Sequence, residues 1–279
     1  MQLNYNICRA KISRKIKGIQ FLLQLDKLII LPTGERDMPY IKRVTKAGKT
    51  IEIEKYYTAK YNKKGYRRGE RIKPSSEQQK KINTKEAERK IRLLMNANFR
   101  GGDLHVVLTY ARKRGDPYRT AEEMQKDIEK FLRKLRGEYR KQGKELKYIH
   151  VPEIGTRGAR HHHLVVNKID TDILRKCWTH ARVQIFPLDD SGQYRELAAY
   201  FIKYSSKNKN LSGKRWNSSK NLIRPEPKIT VISEHNFYKS EAREKKGYYI
   251  DKDTVQSGEY GNPEYGGFGY FRYTLVKLE

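Results

Sequence analysis

Apolar and polar positions alternate along two stretches near the start of the chain. Tyr40-Ile41-Lys42-Arg43-Val44 and Thr50-Ile51-Glu52-Ile53-Glu54-Lys55-Tyr56 flank a Lys46-Ala47-Gly48-Lys49 turn, and together predict a β-hairpin. From Ser76 to Phe99 the period lengthens to that of a helix, with Ile82, Ala87, Ile91, Leu94 and Met95 along its apolar side. Leu104 to Tyr110 is nearly continuous in apolar and β-favouring residues and predicts a central strand. Thr120 with Glu123 has the pattern of a capping box, opening a helix to about Lys141 with Met124, Ile128, Phe131, Leu132 and Leu135 as its stripe. Strands are predicted next, one ending at Glu153 and one from Gly158 to Val166. A short helix follows from Asp170 to His180, then a strand from Ala181 to Phe186 and a helix from about Tyr194 to Lys207. Ile229 to Ile232 and the alternating Phe271 to Leu278 are further strand candidates. The mixture predicts an α+β fold.

The chain divides into a leader at 1–37, a basic hairpin, arm and helix at 38–99, a central domain at 100–207, and a basic, Gly/Tyr-rich extension at 208–279. Nothing in the leader fits the elements that follow, and Met38 is a plausible alternative start. Among 279 residues, 61 are basic and 32 acidic, a formal net charge of +29. That excess points to a polyanionic partner, nucleic acid first. The charge is spread along the chain rather than gathered on one amphipathic helix, which argues against a membrane-surface protein. The apolar stretch Ile19 to Leu31 is short and carries Asp26 and Lys27, so no membrane span is expected. Cys8 and Cys177 make no disulfide framework and point to a reducing, cytoplasmic setting. The stretch 58–75, and the later Lys207, Lys214, Arg215, Trp216 and Lys220, read as phosphate-contacting segments.

Two constellations carry chemistry. The first is His161-His162-His163 at the head of a strand. Successive strand residues point to opposite faces, so His161 and His163 share one face and His162 points away with Leu164 and Val166. Glu153, on the preceding strand, can add an oxygen ligand, with Gly155 and Gly158 letting the chain turn between them. Two imidazoles and a carboxylate suit a divalent ion such as Mg²⁺ or Mn²⁺ and leave coordination positions open. The second constellation lies on the helix before Lys207. At about 100° per residue, Leu197, Ala198, Phe201 and Ile202 gather on one side, and Tyr200, Lys203, Tyr204 and Lys207 on the other. A phenol beside an ammonium is a candidate nucleophile for phosphodiester transfer.

In these residues the chain resembles the HUH endonucleases, and specifically the rolling-circle replication initiators of phages and plasmids. His161-His162-His163 resembles the HUH motif, with a histidine where that family usually has a bulky hydrophobic residue. Tyr200-Phe201-Ile202-Lys203 resembles its Tyr-x-x-Lys motif, and Tyr204 completes the two-tyrosine form. Leu104 to Tyr110 resembles the family's first motif, a strand ending in Leu-Thr-Tyr. The flanks are similar in tone to firmicute phage-type versions. The histidines precede the tyrosines, as in replication initiators and unlike conjugative relaxases. No Walker-type phosphate loop is present, so no helicase is fused within this sequence.

The resemblance implies a central antiparallel sheet flanked by helices, with basic extensions on both sides. It implies Glu153 as the third metal ligand, Tyr200 and Tyr204 as nucleophiles, and nicking of single-stranded DNA at a replication origin through a 5′-phosphotyrosine. A host polymerase and helicase are the implied partners. The competing readings are a non-catalytic DNA- or RNA-binding regulator, and a mobilisation relaxase or transposase using the same chemistry. A chain beginning at Met38 is expected to fold and nick like the full one.

Overall fold

The computed structural model describes residues 39–58, 77–111, 115, 117–155, 158–207, 216–260 and 268–278. The leader, most of the basic arm at 58–75, the loop carrying Lys214 and Arg215, and the glycine-rich 261–267 lie outside the described residues, as do the side chains of Tyr204 and Lys207. What is described falls in one compact unit, Pro39–Glu279.

Strands β1 (Tyr40–Ala47) and β2 (Thr50–Tyr57) form the predicted hairpin, antiparallel from Tyr40↔Tyr57 to Ala47↔Thr50. Its turn depends on Gly48, which has φ +54, where L side chains are strained. A Cβ there would also stand 1.9 Å from the carbonyl oxygen of Asn96. The strands β8 (Lys228–Ile232), β9 (Tyr248–Tyr260) and β10 (Phe268–Lys277) join this hairpin in a sheet of order β8-β1-β2-β10-β9. The two flanks, which the sequence reads as separate extensions, are thus one antiparallel sheet. Ile51, Ile53, Phe271, Tyr273 and Leu275 form its apolar core with Phe237, which comes from the short helix α5 (Glu234–Tyr238).

The second sheet is built from β3 (Leu104–Thr109), β4 (Tyr148–Ile154), β5 (Arg160–Val166), β6 (Val183–Pro187) and the two-residue β7 (Asn217–Ser218). Its order is β6-β3-β5-β4-β7, antiparallel throughout, with β5 at the centre. Helices α2 (Ala121–Lys141) and α3 (Thr171–Cys177) pack on one face through Ile128, Phe131, Leu135, Leu174 and Cys177 against Val106, Leu108, Leu164 and Val166. Helix α2 carries the predicted capping box between Thr120 and Glu123 and the predicted stripe. Helices α1 (Glu77–Asn98) and α4 (Arg195–Lys207) cover the other face, through Ile91, Leu94, Met95, Ala198, Phe201 and Ile202 against Ile149, Val151 and Val165. The fold is α+β, as expected. Ile82, placed in the buried stripe of α1 by periodicity, is in fact exposed, because the first turns of the helix extend past the sheet. No described helix is long and apolar enough to cross a membrane.

Helix α1 also faces the first sheet, and there the contact is ionic. Glu52, Glu54, Arg89 and Arg92 are all buried. Arg89 donates from Nε to Glu52 at 2.5 Å and from Nη2 to Glu54 at 2.8 Å. Arg92 donates to Glu52 and, at 3.2 Å, to the hydroxyl of Thr274. Arg272 reaches Glu54 at 2.6 Å. Burial alone would raise the Glu52 carboxyl, but Arg92 and Arg89 together hold it below its usual range. Removing one member of such a cluster strands the others without water or partner. Glu52→Ala is therefore expected to lower the unfolding free energy by about 3–5 kcal/mol, read from urea denaturation midpoints at unchanged slope. A loss under about 0.5 kcal/mol would show that the two arginines find solvent instead.

Candidate active site

The register of β5 places the histidines. His161 pairs with Glu153 on β4 and Thr109 on β3, and His163 pairs with Val151 and Val107. Alternation then puts Glu153, His161 and His163 on the face covered by α1 and α4, as the sequence predicts. Gly158, with φ +82, reverses the chain between the two strands, and the Gly155 amide donates to the Ala159 carbonyl at 2.7 Å.

Glu153 and His163 are buried, and a carboxylate oxygen of Glu153 meets Nε2 of His163. On its other side, Nδ1 of His163 lies 3.3 Å from Nε2 of His105. His105 was not singled out in the sequence; its only signal there is a polar side chain in an otherwise apolar strand. Burial, and secondarily His163, push the His105 pKa down to about 4, so it is a neutral ring. His161 is half-buried, its Nδ1 enclosed with no hydrogen-bond partner among the described residues. Burial also lowers its pKa, while Glu153 acts in the opposite sense. Among the described residues, no group of three or more His, Cys, Asp or Glu side chains is arranged to hold a metal ion. The Glu153 carboxylate closes on His163 instead of standing off from it.

Helix α4 crosses this face with Ala198, Phe201 and Ile202 down and Tyr200 and Lys203 on its outer side. The ring of Tyr200 stands edge-on to His163, centroids 5.3 Å apart, and 6.4 Å from His105. Of the residues expected at the site, the structure brings together Glu153, His161, His163 and Tyr200, with Lys203 one helical turn beyond. Tyr204 and Lys207 lie on the same helix, their backbone alone being described. Trp216 packs against the core under α1 and α4. Lys220 is apart from the histidines, in a cavity of about 450 Å³ that it shares with Arg136, Arg140 and Lys144. Those three basic residues are far from Lys220 in sequence, so no local pattern joins them.

His162 corrects one expectation. Facing away from Glu153, it should tolerate replacement by tyrosine. It is instead 1 % exposed, with Nε2 at 2.9 Å from the Tyr110 hydroxyl and Nδ1 at 2.9 Å from Nε2 of His150. Trp178 stands edge-on to its ring. Away from the catalytic face means into the second core, and a phenol there would be overpacked.

Burial drives the His150 pKa down to about 3 and that of His162 well below its usual value, each lowered further by neighbouring histidines. Both rings are neutral when folded but take up protons near pH 6.5 once unfolded. Their contribution to stability is complete above that pH and is lost as pH falls toward the folded values. The melting temperature is expected to drop steadily from pH 7 to pH 4, and His162→Tyr to melt several degrees lower already at pH 7. A flat profile, or wild-type melting of the variant, would contradict this placement.

Residues 103–209 match the family described as replication-associated protein, ORF2 and gene II protein type. The matched region contains β3 to β6 and α2 to α4, hence both histidine faces and Tyr200. No curated protein and no solved structure matches the chain.

Proposed function

Taking residues 103–209 as a member of that replication-associated protein family, we propose that this protein initiates rolling-circle replication by nicking one DNA strand, with Tyr200 as the nucleophile. The observation that carries the reading is the seating of Tyr200 beside His163, across the face that holds Glu153 and His161.

The donor set fits a hard to borderline divalent ion. Two imidazoles and a carboxylate lie on one sheet face, and Nδ1 of His161 is enclosed without a partner among the described residues. Mg²⁺ or Mn²⁺ held by His161, His163 and Glu153 would polarise the non-bridging oxygens of the scissile phosphate. His105 holds His163 from behind, fixing the ring whose other nitrogen faces Glu153. The phenol oxygen of Tyr200 attacks phosphorus, forming a Tyr–O–P bond as the bond from phosphorus to the 3′ oxygen breaks. The phenol proton is given up to water, and the departing 3′ oxygen takes one from water. Lys203, at i+3 from Tyr200, favours the ionised phenol. The product is a 5′-phosphotyrosine and a free 3′-hydroxyl for a host polymerase to extend, with a host helicase opening the duplex ahead. Tyr204, at i+4, is placed in sequence to make the second transfer that releases a circle. The phosphodiester energy is kept in the phosphotyrosine, so rejoining needs no ATP.

Lys207, Lys214, Arg215 and Lys220 contact phosphates in this scheme and supply sequence-independent affinity. The contact between Glu153 and His163 favours one rival, a protein that binds DNA without metal. Incubation with circular single-stranded DNA of the parent element, with and without Mn²⁺, separates the two. The expected result is an Mn²⁺-dependent covalent adduct on a denaturing gel. Tyr200→Phe should abolish it, and His161→Ala and His163→Ala should each reduce it at least about a hundredfold. Tyr204→Phe should form the adduct but release few circles. DNA binding should survive in all four variants. Wild-type protein that binds the DNA and forms no adduct would leave the binder as the correct reading.

A further inference from the structure

We propose that the open edge of β6 seats one unpaired nucleobase beside the cleavage site, with Phe186 as its stacking plane and Gln184 facing its hydrogen-bonding edge. The inference rests on the nicking reading and adds to it a determinant of which strand, and which base, is taken.

Strand β6 is an edge of the second sheet, paired only with β3. Phe186 lies across from His105 and Gln184 across from Val107, while Val107 is itself paired with His163. Alternation therefore sends Phe186 and Gln184 to the same face as His163 and Glu153. Val183 and Ile185 go the other way and pack on the core under α2. Helix α4 buries residues of β4 and β5 and reaches none of β6. Phe186 is left 50 % exposed, an unusual state for a phenylalanine in a strand.

The ring of Phe186 is not isolated. Its centroid is 5.7 Å from that of His105, which is 6.4 Å from Tyr200 and 5.6 Å from His163. A row of rings thus runs from the proposed nucleophile to an open edge. Two strand spacings, about 10 Å, separate β6 from β5, the scale of a neighbouring nucleotide. Gln184 is half-buried, and no described residue hydrogen-bonds its side-chain amide. An amide offers a donor and an acceptor together, which suits the edge of a base. One ring and one amide are too little for a protein partner, whose interface needs about 800 Å² on each side. They match a single base, whose π-face stacks on an aromatic ring whatever its identity.

The test uses the full chain and a fluorescein-labelled oligodeoxythymidine of about 20 nucleotides, long enough to span an extended groove. It is compared with a strand of equal length carrying abasic deoxyribose throughout. Wild-type protein should prefer the base-bearing strand. Phe186→Ala should cut that preference by roughly 5- to 150-fold, leaving affinity for the abasic strand unchanged. Phe186→Trp, which keeps a ring in place, should retain the preference. Gln184→Leu should narrow the spread of affinities among dT, dC and dA homopolymers. Wild-type base preference in Phe186→Ala, or equal weakening on both strands, would overturn the proposal. The adduct assay is run in parallel. An adduct with base preference unchanged in Phe186→Ala overturns the base seat alone. A base preference lost in Phe186→Ala, with no adduct from the wild type, overturns cleavage alone.

Discussion

Side chains of a β-strand must alternate between its faces, and β5 carries three histidines in succession at the centre of a five-stranded sheet. That single constraint organises both halves of the molecule. His161 and His163 are delivered to one face, where Glu153 stands across from His161 and where α4 brings Tyr200. His162 is delivered to the other, where it cannot be left as an unsatisfied polar group. Tyr110 and His150 meet its two ring nitrogens, and Trp178 closes over it. A one-residue slip of β5 would exchange the two sets and destroy both. The second core therefore does more than add burial, since it holds the strand in the register that puts the catalytic face together.

The two sheets are joined by a helix with two characters. One side of α1 is apolar and completes the core over β4 and β5. The other presents Arg89 and Arg92 to Glu52 on the hairpin. Burying these charges costs more than burying methyl groups, but the pairing accepts only one partner surface. The first sheet, assembled from the two ends of the chain, is thereby tied to the helix that roofs the active face. The basic flanks thus become part of the same body as the site they would supply with DNA.

Much of this was legible in the residues because it follows from period. The hairpin, the capping box of α2, the buried side of α4 and the face shared by His161 and His163 all come from counting by two or by 3.6. What was not legible depends on partners distant in sequence. The burial of Glu52 and Glu54 requires arginines on a helix after the basic arm. The union of both flanks in one sheet requires pairing between residues near 55 and near 271. His105 and Phe186 become part of the site through cross-strand register alone. The misreading of His162 has the same origin. Facing away from a site says nothing of what fills the opposite side, and here it is a packed core.

The central claim is that Tyr200 is the residue joined to DNA, and peptide mapping of the adduct addresses it most directly. After nuclease trimming and proteolysis, mass spectrometry should find the residual nucleotide on the peptide that contains Tyr200, with fragmentation placing it on that phenol. A nucleotide confined to Tyr204, or carried by a tyrosine outside α4 such as Tyr110, would contradict the account.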